Sequence, residues 1–137
     1  MPDTLEPGAL PLCASAALEQ SGRALVFDVL LWRRPARAFA LRFEGRVVAY
    51  LNRCAHVPTE MDWRPGEFLD DRREFIVCAT HGAVYEPTTG QCIAGPCAGQ
   101  RLMAVRVVER DGQVYWYPSA DVRPVEQDAA PSPDRNP

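Results

Sequence analysis

Apolar and polar positions alternate with a period of two along much of the chain, the spacing that puts every second side chain on one face of a β-strand. RALVFDVLL, from Arg23 to Leu31, is an apolar run with Val and Phe that suits a strand. A helix fits only upstream of it. AFALRFEGRVVAYLNRC, from Ala38 to Cys54, predicts two alternating strands joined at Glu44 and Gly45, the glycine supplying the backbone freedom of a tight turn. EFIVCATHGAVYEPTTGQCI, from Glu74, repeats the design with strands at FIV and AVY and a turn at PTTG. LMAVRVVERDGQVYWYP alternates on both sides of Asp111 and Gly112, the strongest hairpin signal in the chain. The pattern predicts an all-β protein, antiparallel, with short turns and no internal repeat.

Composition narrows the class. With 137 residues and 47% hydrophobic content, the chain has the size of one ordinary domain. Net charge is −3 and the fifteen basic residues are all arginine, with no basic stripe, so no nucleic-acid partner is expected. The opening MPDTLEPGALPLC lacks the positive start and apolar run of a secretory signal, and no apolar run approaches the ~18 residues of a membrane helix. A cytoplasmic protein without membrane contact is expected. EQDAAPSPDRNP is polar and proline-rich, too poor in apolar surface to offset its ordering entropy. The expected layout is a partly irregular segment over 1–22, one domain over 23–118 and a disordered tail over 119–137.

The chain has five cysteines and two histidines, and each histidine stands close to a cysteine. Cys54 and His56 are separated by one residue, Cys78 and His81 by two, with Val57 to Val77 between the pairs. If both pairs sit at hairpin tips, their side chains converge from neighbouring loops. Two thiolates and two imidazoles fit either a tetrahedral zinc ion or a [2Fe–2S] cluster with cysteines on one iron and histidines on the other. Spacing alone leaves both open. Zinc modules usually pair cysteine with cysteine and histidine with histidine, so loops that each give one of both favour the cluster.

CAH, then CATHG, AVYEPTTG and the GPC turn resemble the Rieske iron–sulfur domain. The resemblance runs from about Arg23 to Pro118, and the spacer EMDWRPGEFLDDRRE is longer than is common in the family. It implies a Rieske-like antiparallel β sandwich with the cluster held at the tips of two hairpin loops. Cys54 and Cys78 would bind one iron and His56 and His81 the other, with Gly82, Tyr85, Gly95 and Pro96 supporting the loops. Two neutral imidazoles in place of thiolates leave the oxidised site near neutral, which makes reduction easier. In the high-potential members of the family it resembles, a serine hydroxyl two positions and a tyrosine hydroxyl four positions after the second histidine act as hydrogen-bond donors to the cluster. Here these positions hold Ala83, which has no hydroxyl, and Tyr85.

Other residues have plainer readings. Cys92 and Cys97 could form a clip over the cluster, but the absence of a secretory signal favours free thiols, and Cys13 reads as packing or an exposed thiol. Val57, Met61 and Trp63 could make an apolar docking rim but more often such residues pack. DDRRE, from Asp70 to Glu74, reads as a solvated turn. The resemblance implies an electron-transfer protein, a ferredoxin-like carrier with reductase and oxygenase partners or the small subunit of a nitrite-reductase-like complex. A zinc-stabilised binding module is the non-redox alternative. A catalytic mononuclear iron would need two further histidines, which the chain lacks. Respiratory Rieske subunits carry an extra cysteine in each ligand loop, where this chain has Thr59 and Thr80, and a membrane anchor. Partner identity and oligomeric state are not encoded legibly.

Overall fold

The computed structural model describes residues 7–20, 22–55, 59–62, 64, 66–79, 82–95 and 99–125. Among the described residues ten strands follow one another: β1 (Leu10–Ala14), β2 (Leu25–Leu31), β3 (Arg34–Phe43), β4 (Arg46–Leu51), β5 (Ile76–Val77), β6 (Val84–Tyr85), β7 (Cys92–Ala94), β8 (Arg106–Arg110), β9 (Gln113–Tyr117) and β10 (Val122–Pro124). The expected all-β, antiparallel class holds, with a short 3-10 turn at Ser15–Ala17. The strands form three sheets, ordered β1-β9-β8, β10-β2-β3-β4 and β5-β6-β7. Among the described residues, no helix is long and apolar enough to cross a membrane.

The four-stranded sheet lies between the other two because β3 is apolar on both faces. Phe39, Leu41 and Phe43 join Tyr50 of β4 in a core with Ile76, Tyr85 and Cys92 of the small sheet. Ala38 and Ala40 point the other way, into a second core with Val29, Leu31, Leu51, Val114, Trp116 and Val122. Phe39 stacks on Phe68 at 3.7 Å between ring centroids and lies fully buried. Burying such a ring stabilises the fold by about 1.5–3 kcal/mol, and this contact docks the spacer between the two Cys/His segments onto the middle sheet.

Three hairpins share one turn geometry. Glu44–Gly45 joins β3 to β4 and Asp111–Gly112 joins β8 to β9, each pair with φ positive at both positions. Trp32–Arg33 joins β2 to β3 in the same way, with φ of 50° and 70°, although neither residue is glycine. β3 therefore begins four residues earlier than alternation predicts. Pro35 is tolerated there because β4 pairing starts only at Ala38 opposite Leu51, so no β4 ladder bond needs its missing N–H.

The boundary between domain and tail shifts. Val122 is buried and β10 pairs with β2, so the expected disordered tail from 119 begins instead with an edge strand. Three ladder positions, Val122 opposite Leu31 through Pro124 opposite Val29, outweigh the polar composition that follows. Residues 126–137 lie outside the described residues. At the other end, β1 pairs with β9, so part of segment 1–22 is a strand of the sandwich.

Candidate metal centre

Both cysteines of the paired motifs end up in one buried core. Cys54 follows β4 and Cys78 follows β5; they are 2% and 0% exposed, share a core with Met61, Ala83 and Tyr85, and lie outside any disulfide. His56, His81, Pro96, Val57, Trp63 and Cys97 lie outside the described residues. No group of three or more metal-ligating side chains occurs among the described residues alone.

Backbone bonds shape both loops. Cys54 N–H donates to Thr59 O at 2.9 Å, closing the first loop at its base. In the second, Cys78 N–H donates to Ala83 O at 2.9 Å and Gly82 N–H to Cys78 O at 2.8 Å. Ala79 N–H crosses to Met61 O at 3.0 Å and ties the second loop to the first. Gly95, after β7, adopts φ +94°, and a Cβ there would meet Ala83 Cα at 2.9 Å and Gly82 O at 3.0 Å. Only a glycine lets this third segment press so closely on the second loop.

Tyr85 reaches one of the thiols. Its hydroxyl shares a hydrogen bond with Cys54 Sγ at 3.3 Å and accepts the Ala55 N–H at 2.9 Å, and a deprotonated sulfur there would accept the phenol's hydrogen bond. Burial, then the bond with Cys54, raises the tyrosine pKa well above its ordinary value, and both Cys54 and Cys78 are close enough to contribute. The phenol stays protonated as a donor. Ala83 is fully buried and offers no hydroxyl. Two buried soft sulfur donors with a hydroxyl aimed at one of them suit a group that carries negative charge on sulfur, as the donor set of an iron–sulfur cluster requires.

Several expectations resolve differently. Cys92 was expected as a free thiol, but it is disulfide-bonded, with its partner outside the described residues. Backbone pairing brings residues on either side of this segment together: Cys92 N–H donates to Gln100 O at 2.8 Å and Gln91 pairs with Arg101. An argument from cellular compartment does not sense that pairing. Cys13 is half-buried in β1, its thiol pushed up by burial. Met61 packs, fully buried, and forms no rim; Ile93 of β7 is the exposed apolar residue beside the third segment. Asp70 to Glu74 is the expected turn, with Asp70 Oδ1 accepting the Glu74 N–H at 2.8 Å. Asn52 was not singled out, yet it is the one buried polar or charged side chain among the described residues. Its position two residues before Cys54 was the available signal.

The sequence profile of the Rieske [2Fe-2S] domain matches residues 9–122, and the chain belongs to that family. Its members hold a [2Fe–2S] cluster through two cysteines and two histidines. The fold is similar to the ferredoxin of carbazole 1,9a-dioxygenase from Nocardioides aromaticivorans IC177, with 21% identity over 81% of this chain and 98% of that one and a TM-score of 0.63. It is also similar to a chain in a complex of reduced oxygenase and oxidized ferredoxin in carbazole 1,9a-dioxygenase, at 18% identity, 88% and 100% coverage and TM-score 0.60. In a reduced complex between oxygenase and ferredoxin of the same system, 80% of this chain aligns with 28% of a longer one at 19% identity and TM-score 0.61. No curated protein matches the sequence.

Proposed function

We propose that the protein is a ferredoxin-like electron carrier whose Cys54, His56, Cys78 and His81 hold one Rieske-type cluster, exchanging electrons with a reductase and an oxygenase in the cytoplasm. One observation carries the reading: in a chain of the Rieske family, two buried thiols outside any disulfide share one core with Tyr85, whose hydroxyl bonds to the Cys54 sulfur. When bound, the cluster accepts and releases one electron at a time. The chain's own residues do the rest. The core around Cys54 and Cys78 excludes water, and Tyr85 holds a proton toward the Cys54 sulfur, favouring the more negative, reduced site. The two imidazoles would lower the negative charge of the ligand set and present the electron's exit. The oxygenase as acceptor is supported by ferredoxin–oxygenase complexes among the similar structures.

Metal and sulfide analysis of the purified chain tests the reading. A brown-red protein with about two irons per chain and acid-labile sulfide is expected. Zinc near one per chain with no visible absorption overturns it in favour of a binding module.

A further inference from the structure

We infer that Asn52 is a positioning residue for the cluster, bracing the two ligand loops at the spacing the metal group needs; this rests on the electron-carrier reading above. Asn52 is 4% exposed and stands where β4 ends. Its N–H donates to Arg37 O at 2.8 Å, which pins it to β3 beyond the last ladder position. Its side-chain Oδ1 accepts the Met61 N–H at 2.7 Å, and its Nδ2 donates to Asp62 Oδ1 at 2.7 Å. The other Asp62 oxygen accepts the Gly66 N–H at 3.0 Å. Met61 then passes the constraint on, because its carbonyl accepts the Ala79 N–H at 3.0 Å.

The result is one continuous brace from β3 through Asn52 and Met61 to Ala79. Cys54 lies two residues beyond one end, and Cys78 directly precedes the other. Both sulfurs therefore hang from the same planar amide. Few side chains can do this. The position needs an acceptor for Met61 N–H and a donor for the Asp62 carboxylate on one rigid group. Aspartate would face carboxylate with carboxylate, and leucine would leave Met61 N–H and the Asp62 oxygen without a partner. A residue that merely satisfied its own turn would not bond to the residue that carries the opposite loop.

Reversing the pair provides the test. The full chain is purified as wild type, Asn52→Asp, Asp62→Asn and the double variant, and iron and sulfide are counted. Cluster loss to an iron chelator is then followed by visible absorption, and the reduced proteins are compared by electron paramagnetic resonance. In Asn52→Asp the two carboxylates repel and the loops separate, so bleaching should run about tenfold faster with altered g-values. In the double variant the aspartate at 52 accepts from Met61 N–H and from the asparagine amide at 62, whose oxygen accepts Gly66 N–H. Wild-type rate and g-values should return. The inference is overturned if Asn52→Asp keeps both wild-type readouts, or if the double variant does no better than Asn52→Asp. Should Asn52→Asp fail to accumulate, the double variant decides alone: a full, slowly bleaching cluster supports the brace and a depleted one overturns it. Wild type lacking iron and sulfide overturns the carrier reading and the inference with it, whereas a normal wild type with an indifferent Asn52→Asp overturns the inference alone.

Discussion

Tyr85 accepts the Ala55 N–H and shares a hydrogen bond with the Cys54 sulfur, to which the phenol would donate once that sulfur is deprotonated and bound to metal. A hydrogen bond to ligand sulfur stabilises the reduced state, and removing it makes reduction harder. Tyr85→Phe should therefore lower the midpoint potential, and Ala83→Ser, which restores a hydroxyl beside the second loop, should raise it. Protein-film voltammetry on the three proteins measures both shifts. With one donor of the two, the native value should fall in the lower part of the roughly −150 to +300 mV span of Rieske centres. A value near the top would contradict the ferredoxin-like carrier proposed above. The cysteines were legible as motif pairs and Tyr85 through the family resemblance, four positions after the second histidine, although the Cys54 sulfur it meets lies 31 residues before it. Asn52 was not, because its partners stand nine and ten residues on and an asparagine before a loop looks like ordinary turn chemistry. The Cys92 disulfide was legible as a possible clip from its spacing, but was wrongly outweighed by the expected cellular compartment.

At the scale of strands and turns, legibility followed glycine. Glu44–Gly45 and Asp111–Gly112 announce hairpins through a residue that accepts positive φ at no steric cost, whereas Trp32–Arg33 forms the same turn without one. Tertiary contacts hold that third turn. Trp32 donates its indole N–H to Asp121 Oδ1 at 3.1 Å, and the Arg53 guanidinium sits 5.3 Å above its ring. None of these partners is local, so no local pattern could disclose the turn. The PTTG turn carries a more exacting demand. Tyr50 donates its hydroxyl to Pro87 O at 2.7 Å, and its ring then fills the space beside Gly90, where a Cβ would meet Tyr50 Cε1 at 2.7 Å with φ at +76°. A buried ring cannot step aside as a flexible chain end can. Gly90→Ala should cost about 1–3 kcal/mol from strain and overpacking together. A clearly lowered thermal midpoint by circular dichroism is expected, and an unchanged one would show that Tyr50 repacks freely.

Across the whole molecule, Arg42 fastens strands that sequence order keeps apart. From β3 it donates through Nε to Leu18 O at 2.9 Å and through Nη2 to Ser15 O at 3.2 Å, and it pairs with Glu109 of β8, Nη2 to Oε2, at 2.6 Å. The guanidinium bond holds the Glu109 carboxyl below its ordinary pKa. The folded chain thus binds that proton more weakly than the unfolded chain does. The resulting stability is complete above the ordinary glutamate value and is lost as pH falls through the depressed one. Glu109→Gln should remove this part of the acid limb, leaving a flatter denaturation curve below neutrality. Equilibrium unfolding across acid pH checks it; an unchanged slope would show the pair to be energetically silent, as exposed pairs often are.

The middle sheet has an evolutionary consequence. β3 sends Phe39, Leu41 and Phe43 into the core that contains Cys54, Cys78 and Tyr85, and Ala38 and Ala40 into the core shared with β9 and β10. A substitution at Val114 or Val122 alters how firmly the sandwich is held from a core that does not contain Cys54 or Cys78. Selection can therefore adjust durability and electron affinity on opposite sides of one sheet.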